Sequence, residues 1–525
     1  MHENRETSSA PRVHAERGRS GKAHSRTPDT HAPEESDCAT VPMNQPNNGE
    51  LSSAEAGEGR VQAKENIAES STRPTQSGAR VSQGLSGVRQ AARGRKQERF
   101  TALLHHVNAD LLRESFYALK RQAAPGVDGM TWREYETGLD DRLADLHHRV
   151  HRGTYRAQPS RRVYIPKADG RQRPLGIAAL EDKIVQQAVV SVLNQIYETD
   201  FKGFSYGFRP GRNPHQALDA LTVGIHGRRV GWVLDADIRG FFDHMSHEWT
   251  TKFIEHRVAD RRILRLIQKW LQAGVSEDGQ WSETQVGTPQ GAVISPLLAN
   301  VYLHYVFDVW VEAWRKNAAH GNVIVVRYAD DLVVGFERRA DAQRFLTAFQ
   351  ERLARFGLEL NTEKTRLIEF GRFAARDRKQ RGAGKPETFT FLGFTHYCGQ
   401  RPDGAFTIWR ITAKKRMVAK LRAIKVELRR RMHQPVASVG EWLRRVTLGY
   451  YQYHAVPGNI DRLNVFAQRL RRMWQQTLRR RSQRSRASWD RLGPIFLRWI
   501  PAPRVLHPYP YQRFVATHPR WEPYA

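Results

Sequence analysis

The chain has 525 residues, enough for two or three domains, and its formal net charge of +30 indicates a polyanionic partner such as nucleic acid. Its two cysteines, Cys38 and Cys398, exclude a disulfide framework and a cysteine-rich zinc site and are typical of a reducing compartment. No apolar run reaches membrane-spanning length and the N-terminus has no apolar signal core, so we expect a cytoplasmic protein without membrane contact.

The N-terminal part of the chain changes character near residue 96. The first 95 residues are rich in Ser, Gly, Glu, Gln, Thr and Pro and poor in aromatic residues, which predicts a disordered extension. Beyond them, apolar residues recur at helical spacing, a strand is predicted over 162–167, and a helix is predicted over 182–193. Strands that alternate with helices favour an α+β or α/β core.

Two apolar strands in this core end in carboxylates. The first, over 230–237, carries Asp237 and is followed at once by an aromatic pair that includes Phe242. The second belongs to a predicted β-hairpin whose tight turn places Asp330 and Asp331 at its tip. By itself, an Asp-Asp turn is more often a solvated surface turn than a site.

The two carboxylate segments together predict a metal site. Adjacent carboxylates repel each other, so a fold tolerates them mainly where a divalent cation offsets the charge, and hard oxygen ligands suit Mg²⁺. If the strands are neighbours in one sheet, Asp237 and Asp330 can hold two Mg²⁺ ions. The expected chemistry is in-line attack of a primer 3′-hydroxyl on the α-phosphate of a nucleotide.

The second half of the chain adds a glycine-containing loop and a set of basic helices. A loop with Gln290 and Gly291 lets the backbone approach a ligand closely, and it leads into an apolar helix. A further helix is predicted over 341–356. Over 412–432, apolar residues recur every three or four positions among Lys and Arg, which predicts an amphipathic helix with a basic outer face. Further helices over 440–450 and 461–481 complete the prediction of a separate helical module. This part of the chain is strongly basic, because 27 Lys and Arg but only 6 Asp and Glu follow residue 400.

In this order and spacing, the segments resemble the reverse transcriptases encoded by bacterial group II introns. The resemblance covers about 100–500 and implies an α+β right-hand polymerase with fingers, palm and thumb. Its boundaries are 96–400 for fingers and palm, 401–495 for a helical thumb or maturase (X) domain, and 496–525 for a basic tail rich in Pro and aromatic residues. The segments that carry it are Ile165–Lys167, Arg173–Ile177, Ser205–Gly211, Gly231–Asp243, Gly287–Asn300, Tyr328–Asp331, Leu358–Thr365 and Phe391–Phe394.

The resemblance also implies roles for single residues. Asp237, Asp330 and Asp331 match the palm aspartates, and Ile238 would lend a backbone carbonyl to a metal. Other positions match residues that contact substrates. Lys167 and Arg173 would hold the incoming triphosphate, Phe242 would exclude a ribonucleotide 2′-hydroxyl, Gln290 and Gly291 would line the nucleotide pocket, Phe391, Leu392, Gly393 and Phe394 would grip the primer, and Lys364 would assist the pyrophosphate or only pack locally.

The resemblance predicts an RNA-directed DNA polymerase with maturase activity that supports intron splicing and retrotransposition. Its partners would be intron RNA, an RNA template, a DNA primer or target and dNTPs, in a nucleoid-associated bacterial setting. Paired cysteines of a C-terminal endonuclease are missing, so we expect no second-strand cleavage. The oligomeric state stays open, with a dimer among the alternatives. The expected RNA contacts are Arg479, Arg480, Arg481 and Arg484.

Other functions stay open. One is a splicing cofactor whose polymerase no longer matters, although damage to the aspartates would be expected there. Another is a related reverse transcriptase recruited for phage defence. A template-independent polymerase has no support in the sequence.

Overall fold

A computed structural model of the chain describes residues 76–166, 172–277, 279–283, 286–288, 291–481 and 488–518. Three predicted site residues, Lys167, Gln290 and Arg484, lie outside these ranges, and so does the extension before residue 76.

Helices form the beginning of the described chain. They are α1 (Gln76–Gly94), α2 (Ala109–Ala118), α3 (Trp132–Glu136) and α4 (Leu139–Arg152). Helix α1 corrects the predicted boundary of disorder at residue 95, because Val88 and Ala92 are buried in the main hydrophobic core. Helix α4 buries one apolar face, with Leu139, Leu143 and Leu146 at helical spacing.

The following segment alternates strands and helices. Strand β1 lies between β2 and β4 in a four-stranded sheet with β5 at its edge. The long helix α5 includes the predicted helix over 182–193 and packs against α1. The elements are β1 (Ser160–Pro166), β2 (Gln172–Ile177), α5 (Leu180–Asp200), α6 (Pro214–Gly227), β3 (Trp232–Ala236), α7 (Phe241–His244), α8 (His247–Glu255), α9 (Arg261–Gln272), β4 (Val275–Glu277) and β5 (Gln280–Ser282).

A second four-stranded sheet, with neighbouring strands antiparallel, holds the carboxylate strands. Its order is β6-β7-β3-β8, which makes β3 and the aspartate hairpin direct neighbours and confirms the condition set for a shared site. A π-helical turn over His304–Asp308 separates two helices before the hairpin. The elements are α10 (Ser295–Leu303), α11 (Val309–Asn317), β6 (Val323–Tyr328), β7 (Asp331–Phe336), α12 (Arg339–Ala354) and β8 (Arg366–Glu369).

A three-stranded antiparallel sheet connects this core to the C-terminal helices. After α13 (Ala374–Gln380), it consists of β9 (Phe389–Phe391), β10 (Phe394–Gln400) and β11 (Phe406–Thr412) in the order β11-β10-β9. Because β11 continues to Thr412, the helical module begins at Lys414, which corrects the predicted boundary at residue 401.

The helical module has its own hydrophobic core. It contains α14 (Lys414–Arg430), α15 (Val436–His454), α16 (Ile460–Arg479) and α17 (Trp489–Trp499), and α18 (Pro510–Thr517) follows. The predicted amphipathic helix is confirmed as α14. Its residues Met417, Leu421, Ile424 and Leu428 are buried, whereas Val426 is exposed and Met432 lies beyond the end of the helix. Its exposed cations are Lys414, Lys415, Arg422, Lys425, Arg429 and Arg430.

Candidate active site

The turn of the β6–β7 hairpin carries the first predicted aspartate. Tyr328 pairs with Asp331 across the hairpin, so only Ala329 and Asp330 form the turn. Ala329 adopts φ = +57°, a left-handed conformation that residues with a side chain rarely adopt. Asp331 is the first residue of β7, which corrects its predicted place at the tip, and both aspartates are half-buried.

Strand β3 brings the second carboxylate segment to the same place. Ala236 pairs with Leu332, so Asp237 follows the last paired residue of β3 and lies beside the start of β7. Burial and the carboxylates of Asp330, Asp237 and Asp235 raise the pKa of Asp331 well above its ordinary value. The structure therefore brings the three predicted aspartates together and adds Asp235, which the sequence analysis did not assign to the site.

Cationic side chains partly offset this negative charge. Lys364 Nζ lies 3.6 Å from Asp237 Oδ2, with both side chains largely buried, and Arg366 Nη2 lies 3.9 Å from Asp235 Oδ2. Burial raises the pKa of Asp330, while the Arg173 guanidinium acts in the opposite direction. Lys364 thus contacts Asp237, which agrees with the expectation of local packing. Its role toward pyrophosphate stays a prediction.

The four neighbouring aspartates, Asp235, Asp237, Asp330 and Asp331, have the donor chemistry of a divalent metal site. Their donors are hard oxygens, and a cation beside them would relieve the repulsion that raises the pKa of Asp331. Across the described residues, no three His, Cys, Asp or Glu side chains are arranged to hold a metal ion by themselves. Proteins usually hold Mg²⁺ through one or two carboxylates together with water and substrate phosphates. Asp237 and Asp330 would supply those carboxylates, and the predicted carbonyl ligand, Ile238, is the next residue after Asp237.

Three of the predicted nucleotide-binding residues lie in the described chain. Arg173, on β2, pairs with Ile165 and is near enough to Asp330 to affect its pKa. Phe242 is half-buried at the start of α7 and packs edge-on against Phe241 at 5.4 Å. Their roles toward a nucleotide stay predictions.

Gly291 has a structural reason to be glycine. It adopts φ = +117°, and a Cβ atom there would lie 2.7 Å from the Gly176 carbonyl oxygen on β2. The close approach predicted for this loop is therefore an approach to a strand of the protein, and contact with a ligand is not needed to explain the glycine.

The predicted primer-gripping segment is a buried hairpin turn. Leu392 and Gly393 connect β9 to β10 in left-handed conformations, and Phe391, Leu392 and Phe394 are at most 3% exposed. Tyr453 Oη donates a 2.7 Å hydrogen bond to the Leu392 carbonyl, which ties this turn to α15. The side chains thus form core, and only the turn's position near the helical module remains in favour of the predicted role.

Three of the four predicted RNA-binding arginines, Arg479, Arg480 and Arg481, lie at or just after the end of α16. Arg479 and Arg480 are exposed, as expected for phosphate contacts. Arg481 is half-buried and its Nη2 donates a 2.8 Å hydrogen bond to the Gln434 carbonyl, so its guanidinium already has a structural partner.

The sequence analysis missed a buried ion pair behind the aspartate turn. Arg327 on β6 donates to both carboxylate oxygens of Asp308, at 2.8 and 2.6 Å, and both side chains are fully buried. A charged residue inside an apolar strand was the available signal, because a buried charge requires a partner.

Comparison with known proteins defines the class of the domain that holds these aspartates. Residues 165–396 match the reverse transcriptase (RNA-dependent DNA polymerase) family. This range contains β3, the β6–β7 hairpin and the predicted primer-gripping turn, so the carboxylate site lies within the segment that matches reverse transcriptases.

Individual relatives narrow the class. The chain is 44% identical over 153 residues to group II intron-encoded protein LtrA of Lactococcus lactis subsp. cremoris, covering 29% of this chain and 25% of LtrA. It is 36% identical over 238 residues to Protein YkfC of Escherichia coli (strain K12), covering 40% of this chain and 62% of YkfC. Over 92 residues it is 29% identical to nuclear intron maturase 1 of Arabidopsis thaliana, covering 18% of this chain and 13% of that protein.

Residues 165–396 are therefore similar to reverse transcriptases, and the proteins that this chain resembles include a group II intron-encoded protein and an intron maturase. The chain spans less than two thirds of the length of each of these relatives. Among its described helices, none combines the length and apolar character needed to cross a bilayer.

Proposed function

We propose that this protein is an RNA-directed DNA polymerase with maturase activity, acting in the splicing and retrotransposition of a group II intron. The observation that carries the proposal is the convergence of Asp237 with Asp330 and Asp331 at one edge of the palm sheet, within the range that matches reverse transcriptases. Its substrates would be dNTPs, an RNA template and a DNA primer.

In this proposal the site binds two Mg²⁺ ions. When bound, the ions would activate the primer 3′-hydroxyl and stabilise the leaving pyrophosphate. The protein's own part is to hold Asp237 and Asp330 in place and to position the nucleotide. Arg173 would contact the triphosphate, since it lies on β2 and its guanidinium acts on the pKa of Asp330 in the aspartate turn.

Phe242 would select deoxyribonucleotides, so that the product is DNA. Its ring is held by Phe241 and by the main core, so it cannot easily move away from a ribonucleotide 2′-hydroxyl. Replacement of Phe242 by Ala would open that space and increase ribonucleotide incorporation.

The maturase part of the proposal is supported by the charge of the helical module. Helices α14 to α16 have buried apolar faces and exposed Lys and Arg, so contact between these cations and RNA phosphates would not disturb the core. The likeness to intron-encoded LtrA favours intron RNA as the polyanion.

The experiment compares primer extension with RNA binding. We expect the wild-type protein to extend a DNA primer on an RNA template with Mg²⁺, and the variant Asp237→Ala/Asp330→Ala to lose extension while its affinity for RNA stays unchanged. Extension that survives in this variant would contradict the proposal. A folded wild-type protein that binds RNA without extending the primer would favour a splicing cofactor with no polymerase role.

A further inference from the structure

Three separate segments of the chain meet at the buried side chain of Asn300, on α10. Asn300 Nδ2 donates a 2.8 Å hydrogen bond to the Gly207 carbonyl, and Asn300 Oδ1 accepts a 2.9 Å hydrogen bond from Arg327 Nη1. Asn300 is 1% exposed. One amide therefore connects helix α10, the segment before α6 and strand β6.

The same arginine reaches the aspartate turn. Arg327 Nη1 also donates a 3.0 Å hydrogen bond to the carbonyl oxygen of Ala329, the left-handed residue that precedes Asp330. Because both oxygens of Asp308 hold the guanidinium from behind, Arg327 has little freedom to rotate.

Gly207 closes the turn from the other side. A Cβ atom at Gly207 would lie 2.2 Å from the Ala329 backbone nitrogen, so the two backbones are in direct contact. Tyr206 N donates to the Arg327 carbonyl at 2.8 Å, and Arg327 N donates to the Phe204 carbonyl at 2.9 Å, which fixes this segment along β6.

We infer that Asn300 is a positioning residue for the catalytic aspartates, holding the Ala329–Asp330 turn between Arg327 and Gly207. This inference rests on the proposed polymerase function and extends it to a residue that contacts neither substrate nor metal. A left-handed Ala is strained, and such a conformation persists only where its surroundings enforce it. Without the Asn300 amide, the turn would retain its covalent structure but Asp330 would shift.

The test is single-nucleotide incorporation from a preformed complex with primer and RNA template. In Asn300→Ala, Arg327 retains Asp308 and the Ala329 carbonyl, so the fold should survive. We expect the maximal incorporation rate to fall about tenfold or more, because displacement of a catalytic group by about 1 Å can cost up to about a hundredfold. The dissociation constant for primer–template should remain within about twofold of the wild type, since the turn lies in the palm interior.

A matched control is Asn459→Ala in the C-terminal region. Asn459 is equally buried and makes hydrogen bonds of 2.9, 2.7 and 2.7 Å to Thr412 and the His454 carbonyl. It should lower the melting temperature by a similar amount while leaving the incorporation rate of the bound complex within about twofold. Gly207→Ala is a second variant, which pushes on Ala329 without removing a hydrogen-bonding side chain, and it should reproduce the loss of rate.

Each outcome decides a different claim. A folded Asn300→Ala variant with a wild-type incorporation rate would overturn the inference, and so would an equal loss of rate in Asn459→Ala. If Asn300→Ala does not fold, the inference depends on Gly207→Ala, where a wild-type rate would overturn it. An inactive wild type would instead refute the proposed function, and the inference would fall with it.

Discussion

Asp308, behind the aspartate turn, and Asp219, on α6, are both buried aspartates bound by arginine, but their charges are balanced differently. Asp308 has one guanidinium partner, Arg327, and neither side chain is exposed to solvent. Asp219 has two, because Arg410 Nη1 lies 2.8 Å from Oδ1 and Arg513 Nε contacts Oδ2.

The difference reflects what each pair connects. Arg327, on β6, and Asp308, in the π-helical turn before α11, are 19 residues apart. Arg410 and Arg513 are 191 and 294 residues away from Asp219, so this carboxylate joins α6 to β11 and to the C-terminal helix α18. A carboxylate with two guanidinium partners tolerates the loss of one. Asp308 has His304 Nδ1 3.8 Å from its Oδ2, but this ring is charged only when protonated, so removal of Arg327 removes the permanent positive charge beside Asp308.

The largest effect is expected from breaking the buried Arg327–Asp308 pair. Arg327→Met should destabilise the protein by about 3–5 kcal/mol, because it leaves Asp308 buried without its cation. Urea unfolding, followed by tryptophan fluorescence, measures this change. Primer extension should be lost as well, since the Ala329 carbonyl loses its donor.

The double variant Arg327→Met/Asp308→Leu separates the two losses. Stability should recover, because a buried pair replaced by apolar residues of similar volume is often neutral or better. Extension should not recover. Recovery of both would show that the pair serves only the fold and contradict its assignment to the aspartate turn.

A smaller effect is a difference in pH dependence: the region around Asp219 and the Arg327–Asp308 pair should lose stability at different acid pH values. His396, whose pKa is lowered by burial and by nearby Arg410 to about 3, belongs to the Asp219 side of the molecule. The unfolded state binds a proton at this histidine below about pH 6.5 and the folded state does not. Stability from this group is therefore complete above pH 6.5, lost as the pH falls, and lower by about 2 kcal/mol at pH 5.

His396→Phe keeps an aromatic ring against Phe389, whose ring stacks on His396 at 4.8 Å. The loss of unfolding free energy between pH 7.5 and pH 5 should be about 2 kcal/mol smaller in this variant than in the wild type. An unchanged pH dependence would show that His396 is not held neutral. Arg327 holds the pKa of Asp308 below its ordinary value, so the Arg327–Asp308 pair should lose stability only at a pH more acid than the range in which His396 acts.

The smallest effect is expected from the C-terminal helix. Arg513→Ala leaves Asp219 with Arg410 and should cost about 1.5 kcal/mol, the lower end of the range for a hydrogen bond to a charged group, because the Arg513 side chain is partly exposed. Limited proteolysis near α18 should become faster, because the helix loses a contact with α6. Arg401→Ala, which removes an exposed pair with Asp403, is the control and should change neither measurement. A loss as large as that of Arg327→Met would contradict the contrast between the clusters.

The sequence predicted the parts of the site that local patterns determine. Alternating apolar runs located β3 and the β6–β7 hairpin, and the three- and four-residue spacing located α14, because these periodicities follow from strand and helix geometry. The predicted proximity of Asp237 and Asp330 was confirmed by the sheet order. The metal, nucleotide and RNA roles stay predictions.

Other features depend on contacts that composition and periodicity do not record. Helix α1 was hidden by residues typical of disordered segments, and only packing against α5 explains its order. Asn300, Asp308 and Arg327 are polar residues in apolar runs, and nothing local indicates that they meet behind one turn. The helical module begins thirteen residues later than predicted, at Lys414 instead of residue 401, because the intervening residues include strand β11.

The most direct test of the account is incorporation of one dNTP on a primed RNA template with Mg²⁺, comparing wild type with Asp330→Asn. Asparagine preserves the size of the side chain and removes the charge on which metal binding depends. The account predicts incorporation by the wild type and a loss of at least about a hundredfold in the variant, with equal binding of primer–template. Comparable incorporation by both proteins would contradict the claim that the aspartate edge of the palm sheet is the polymerase site.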